Sequence, residues 1–110
     1  MSFEVRTISN FDRELKRLLK KHTSIHADLL TLAESLIKNP FKGDKLGKDC
    51  YKVRMKISSK GKGKSGGSRV ITCVKIANEE ITLLSIYDKS EQADISDGFL
   101  LQLLTENGLI

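Results

Sequence analysis

Tyr51-Lys52-Val53-Arg54-Met55-Lys56-Ile57-Ser58 alternates without a break between apolar and polar side chains. In an extended chain successive side chains point to opposite faces. Tyr51, Val53, Met55 and Ile57 therefore form one apolar face, and Lys52, Arg54, Lys56 and Ser58 a basic one. A strand of this kind packs on a core from one side only. Ser59 to Gly67 is a Gly/Lys/Ser loop, and Arg69 to Ala77 is rich in β-branched residues on both faces, as a central strand requires. Asn78 and Glu79 make a turn, and Ile81 to Tyr87 reads as a further strand. Three strands joined by short connections make an antiparallel meander.

Working outward from this meander, Phe3 to Ile8 alternates as a short first strand. Ser9 and Asn10 are helix-capping types. Phe11, Leu15, Leu18 and Leu19 then recur at helical spacing up to about His22. A second helix starts after Thr23 or Ser24, with Ile25, Leu29, Leu32 and Leu36 on its apolar face, and stops at Asn39-Pro40. Asp94 or Ser96 caps a last helix through Phe99, Leu100, Leu103 and Leu104, which Gly108 terminates. The expected fold is α+β, in the order β-α-α-β-β-β-α. An antiparallel sheet packs one face on an N-terminal helical hairpin, and the basic face stays partly open.

A chain of 110 residues, 39% hydrophobic and 30% charged, is one folded domain spanning 1–110. No stretch reaches the ~18 apolar residues of a membrane span. Met1 to Asn10 has no signal-peptide pattern, so a cytoplasmic location is expected. Cys50 and Cys73 form no Cys-x-x-Cys unit and are read as reduced core thiols. His22 and His26 lack acidic ligands in register, so neither a metal nor any other cofactor is expected.

Charge is strongly partitioned. Residues 38–75 hold twelve Lys or Arg against two acids, whereas residues 76–110 hold one against seven. A basic middle beside an acidic end points to a polyanion on one surface. Gly61, Gly63 and Gly66 spell G-x-G-x-x-G, but a dinucleotide site needs that motif between a strand and a helix, and here it joins two strands. Gly63-Lys64-Ser65 ends like a phosphate-binding P-loop, but the earlier glycine falls at Ser58. Lys60, Lys62 and Lys64 alternate with glycine and suit phosphate contact without base readout. Lys52, Arg54 and Lys56 share a strand face, and Arg69 begins the next strand across the hairpin. Four like charges on one face oppose folding and favour an anion. Their repulsion also lowers a lysine's pKa, which makes a base of it.

Tyr51 to Lys56 followed by Ser68-Arg69-Val70-Ile71 resembles the paired strands of RelE/ParE-superfamily toxins. Lys60 to Gly67 resembles the long hairpin of the HigB-like branch, and Leu83 to Glu91 is similar to that branch as well. Phe11 to Leu18 and Asn39 to Gly43 sit where such toxins place their helices and following loop. The resemblance implies the toxin of a type II toxin–antitoxin system. It further implies growth arrest, a cognate antitoxin, and metal-independent cleavage of messenger RNA at the ribosome by 2′-hydroxyl attack on the adjacent phosphate. Carried over by position, Lys52, Arg54 and Lys56 match the family's basic strand and Arg69 its arginine after the hairpin. Lys89 lies near the late basic position, whose own slot holds Ser90. The late tyrosine that some relatives use as an acid corresponds to Ser96, so Tyr87 or a lysine takes that role. The alternatives are a non-catalytic ParE-type inhibitor of a DNA topoisomerase and a degenerate toxin. A plain RNA-binding module would carry stacking aromatics that this chain lacks.

Overall fold

In the computed structural model, which describes residues 2–61 and 66–110, the alternating segment forms the strand Cys50–Met55 and pairs antiparallel with Ser68–Lys75. Numbered in chain order, the elements are β1 (Glu4–Thr7), α1 (Ser9–Lys21), α2 (Ile25–Lys38), β2 (Asp44–Gly47), β3 (Cys50–Met55), β4 (Ser68–Lys75), β5 (Glu80–Asp88) and α3 (Asp97–Glu106). The meander β3-β4-β5 is as expected. The five-stranded sheet has the order β1-β5-β4-β3-β2. Two features differ from the expectation. β1 joins β5 in parallel, making the sheet mixed. A short β2 pairs antiparallel with β3 through a tight turn. Lys48 and Asp49 in that turn have φ of 54° and 65°, the left-handed pair that a two-residue hairpin demands. Gly43, at φ 103°, precedes β2; a Cβ there would meet Lys52 O at 2.5 Å.

The helical hairpin covers one sheet face. Phe11, Leu18, Ile25, Leu32 and Leu36 are buried against Val53, Met55, Val70, Ile81, Leu83 and Ile86, while Leu15 and Leu29 pack at the edge, partly buried. Ser9 and Asn10 do not cap α1. The N-cap is Ile8, and the Asn10 side chain donates instead to Glu14 (2.9 Å) and to the carbonyl of Leu84 (3.0 Å). Ser96 does cap α3, its hydroxyl accepting the Phe99 N–H at 3.1 Å.

The opposite face is half covered. α3 packs Leu100, Leu103 and Leu104 over Cys50, Ile71, Cys73, Leu84 and Tyr87. The register shifts between Ile71 and Thr72, which face Ser85 and Leu83. The extra residue lets Leu84 and Tyr87, three apart, share one face. Glu14 fastens this irregularity to α1 by accepting the Ser85 hydroxyl (2.8 Å) and the Ile86 N–H (3.2 Å). α3 reaches over the Cys50/Cys73 end of the sheet, and the basic row lies beyond it.

Candidate nucleic-acid interface

The site is built on the β3–β4–β5 ladder. Val74 N–H donates to Asp49 O at 2.9 Å, which makes Cys50/Cys73 a non-hydrogen-bonded pair. Alternation along the ladder then gives Lys52/Ile71 and Arg54/Arg69 the same geometry. In such pairs the side chains stand closest, with Cα atoms about 4.5 Å apart. Arg69 also pairs with Tyr87 of β5. One row across the sheet therefore reads Arg54, Arg69, Tyr87.

These side chains differ in depth. Arg54 is exposed, Lys52 half-buried, and Arg69 and Tyr87 only 5% and 2% accessible. Arg69 donates to its neighbour's carbonyl, Ser68 O, at 3.1 Å. Its guanidinium is thus set in the floor, with Arg54 above it at the rim. The expectation of four equivalent cations on an open face gives way to one seated and three peripheral ones.

Asp94, in the segment before α3, ties this row together. Its Oδ1 accepts the Ile95 N–H at 2.8 Å, the Lys52 ammonium at 3.3 Å and the Tyr87 hydroxyl at 3.4 Å. The Ile95 amide is the main cause that lowers its pKa, with Lys52 adding to it. Tyr87 is pushed up to about 12, first by burial and then by the Asp94 carboxylate. The Tyr87 phenol therefore stays protonated through the neutral range. Sequence reading treated Asp94 only as a cap, and nothing in the acid-rich stretch around it marks it as the partner of Lys52.

The remaining candidates divide. Lys56 is exposed just past the end of β3. It lines, with Arg54, Lys42 and Leu32, a cavity of about 490 Å³ between α2 and β3. Lys42, Lys52 and Arg54 border a second hollow of about 330 Å³ along the outer side of β3. Lys42 was not anticipated, because it lies outside the alternating segment. Lys60 turns to Asp88, its ammonium 3.0 Å and 3.1 Å from the two carboxylate oxygens. Asp88 also takes the Ser90 hydroxyl and amide, and His22 Nε2 lies 3.3 Å away. Lys60 is thus the counterion of a buried carboxylate. Lys62 and Lys64 lie outside the described residues. Lys89 is exposed, and its amide donates to Gly67 O at 3.0 Å. Ser96, in the slot of the late tyrosine, is a helix cap.

A sheet that carries a basic row on its half-open face, over a helical hairpin, is matched by sequence and by shape. Residues 10–105 match the family described as RelE toxin of the RelE/RelB toxin–antitoxin system. The chain belongs to the RelE toxin family. A solved structure of a doubly substituted E. coli toxin RelE in the free state shares its fold, with TM-score 0.60 and 18% identity, over 84% of this chain and 90% of that one. These matches do not distinguish the HigB-like branch within the family. This member of the RelE family is the toxin component of a toxin–antitoxin pair, and its partner is a cognate antitoxin. Among the described residues no helix is long and apolar enough to cross a membrane.

Proposed function

We propose that this RelE-family chain is a metal-independent endoribonuclease that cuts messenger RNA on the ribosome, and so acts in the cytoplasm. The observation that carries the reading is the seated guanidinium of Arg69, directly opposite the rim guanidinium of Arg54. Attack of a 2′-hydroxyl on the adjacent phosphate builds extra negative charge on the phosphate oxygens. A rigid planar donor fork is matched to that charge and needs no reorganisation as it develops. Arg54, Lys56 and Lys42 line the approach and hold the backbone. Lys52, the amine tethered to Asp94, serves proton transfer. Tyr87, whose hydroxyl is turned to Asp94, positions that carboxylate and does not itself act as the acid. Lys62, Lys64 and Lys89 add phosphate contacts, and Lys60 anchors the base of their loop.

The antitoxin fits this reading. Pairing of β2 with β3 ends at Asp44/Lys52, so beyond Lys52 the outer edge of β3 has no strand partner among the described residues. An acidic extended segment can add to such an edge and neutralise Lys42, Arg54 and Lys56 together.

The test is induction of wild type, Arg69→Lys and Arg69→Ala without the antitoxin gene, with RNA ends mapped genome-wide. Loss of one preorganised donor lowers the rate by roughly 10²–10³. Because Arg69 is buried, Arg69→Ala also loses packing, so Arg69→Lys, checked by antitoxin binding, is the decisive variant. Growth arrest by wild type without RNA cleavage would overturn the nuclease and favour inhibition of a protein target.

A further inference from the structure

Cys50 and Cys73 face each other across β3 and β4. They occupy a non-hydrogen-bonded position, as the flanking Val74 N–H to Asp49 O bond shows. Cα atoms at such positions lie about 4.5 Å apart, inside the 4.4–6.8 Å that a disulfide spans. Both side chains enter the same core cluster under α3 and are 1% and 0% accessible. Both are free thiols. We propose that Cys50 and Cys73 form a reversible dithiol–disulfide couple, oxidised by a peroxide-class oxidant to a cross-strand disulfide within one chain.

The two sulfurs are in contact, each shifting the other's pKa, and Lys75 lowers both. Either can attack first once ionised, and the chemistry is the same. With Cys73 in that place, its thiolate attacks a peroxide oxygen and the O–O bond breaks, leaving Cys73 as a sulfenic acid and releasing hydroxide, which takes up the Cys73 proton as water. The Cys50 sulfur then attacks the Cys73 sulfur; the S–O bond breaks, and the departing hydroxide leaves as water with the Cys50 proton. Two thiols and one hydrogen peroxide give one disulfide and two waters. Access comes through the turn beside Cys50, whose residues Gly47, Lys48 and Asp49 all have φ between 54° and 86°. Left-handed backbone at two consecutive non-glycine residues is a strained place for a hairpin to open.

The disulfide would lie two non-hydrogen-bonded pairs from Arg54/Arg69 on the same face, about 13 Å at strand rise. It would fix the register of the two strands that carry the basic row, whatever that row binds. The experiment is treatment of the purified folded protein with hydrogen peroxide, followed by denaturing mass spectrometry without reductant. The expected result is loss of two hydrogens, a peptide linking Cys50 to Cys73, titratable thiols falling from two to none, a raised melting temperature, and full reversal by dithiothreitol. In Cys50→Ala and in Cys73→Ala, peroxide should leave the remaining thiol as a sulfenic acid that a dimedone-class probe labels, and no disulfide within the chain should form. Persistence of two thiols after treatment would overturn the proposal, as would a disulfide found only between chains. Neither readout depends on RNA cleavage.

Discussion

Arg54 and Arg69 stand directly opposite each other on β3 and β4, on the part of their sheet face that α3 does not cover. Like charges placed opposite in a ladder are destabilising by roughly 0.2–1 kcal/mol. A phosphate between the two guanidiniums would relieve that repulsion. Arg54→Gln keeps the stem and removes the rim charge. Its thermal midpoint should equal or exceed that of wild type, while RNA cleavage falls and its dependence on salt becomes shallower by about one phosphate contact, roughly 0.7 in log–log slope. A clearly lower midpoint would show that Arg54 is a structural residue.

Asp94 and Tyr87 make a separable prediction. Asp94→Asn removes the charge that holds the Lys52 ammonium, and cleavage should fall about tenfold, the weight of one charge-assisted hydrogen bond. Tyr87→Phe keeps the carboxylate and should fall less. Because Tyr87 is pushed up to about 12, the pH–rate profile of wild type should show no limb from this phenol between pH 6 and 10. A limb in that range that disappears in Tyr87→Phe would make Tyr87 the acid after all.

Acid stability should depend on Asp88. Burial alone would raise its pKa, but the Ser90 hydroxyl and amide and the Lys60 ammonium outweigh it and hold the carboxyl at about 2, below the ordinary 3.8. A depressed carboxyl stabilises the fold above its unfolded value, and that contribution is lost as pH falls from about 4 toward 2. The difference amounts to roughly 2 kcal/mol. Asp88→Asn should be less stable than wild type at pH 7, and the gap should close on acidification. Denaturant midpoints at pH 7, 4 and 2.5 measure it. A gap that stays constant across these pH values would place the stabilisation elsewhere.

Gly67 closes the base of the β3–β4 connection. A Cβ there would meet Met55 O at 2.5 Å and Lys56 Cα at 2.8 Å. Gly67→Ala must push the two strands apart next to Arg69, costing about 1–3 kcal/mol as overpacking does. Both stability and cleavage should suffer, whereas Gly61→Ala, with open space at its Cβ, meets only the milder cost of a left-handed backbone. Equal midpoints for Gly67→Ala and wild type would refute the close approach.

The meander and the helical hairpin were legible because apolar residues recur at two clean periods, as in Val53/Met55 and Leu18/Leu32/Leu36. β2 was not, since Asp44–Gly47 holds one apolar side chain, Leu46, and its turn lacks the usual Asn-Gly or Asp-Gly. The parallel seat of β1 is a matter of topology, which no local pattern encodes. At the site, the shared face of Lys52 and Arg54 was legible from their alternation, and the place of Arg69 opposite them from the hairpin. The burial of Arg69 was not, because it depends on Tyr87 arriving from β5 after a register shift. Lys60 looked like one more cation of a solvated loop; its carboxylate partner lies twenty-eight positions on. Ser90 and Ser96, both read against basic or tyrosine slots of relatives, turned out to serve Asp88 and the start of α3.

β1 lies beside β5, and the Arg6–Glu80 ion pair between them spans 74 positions. A strand ahead of the helical hairpin thus waits for the last strand of the meander. The basic row sits on β3 and β4, which need β5 as their inner neighbour. While residues past 80 are still inside the exit tunnel, the emerging chain has helices but no completed sheet, and long-range closure of this kind is slow. The face that carries Arg54 and Arg69 is therefore completed only after β5 has emerged, well after the helical hairpin.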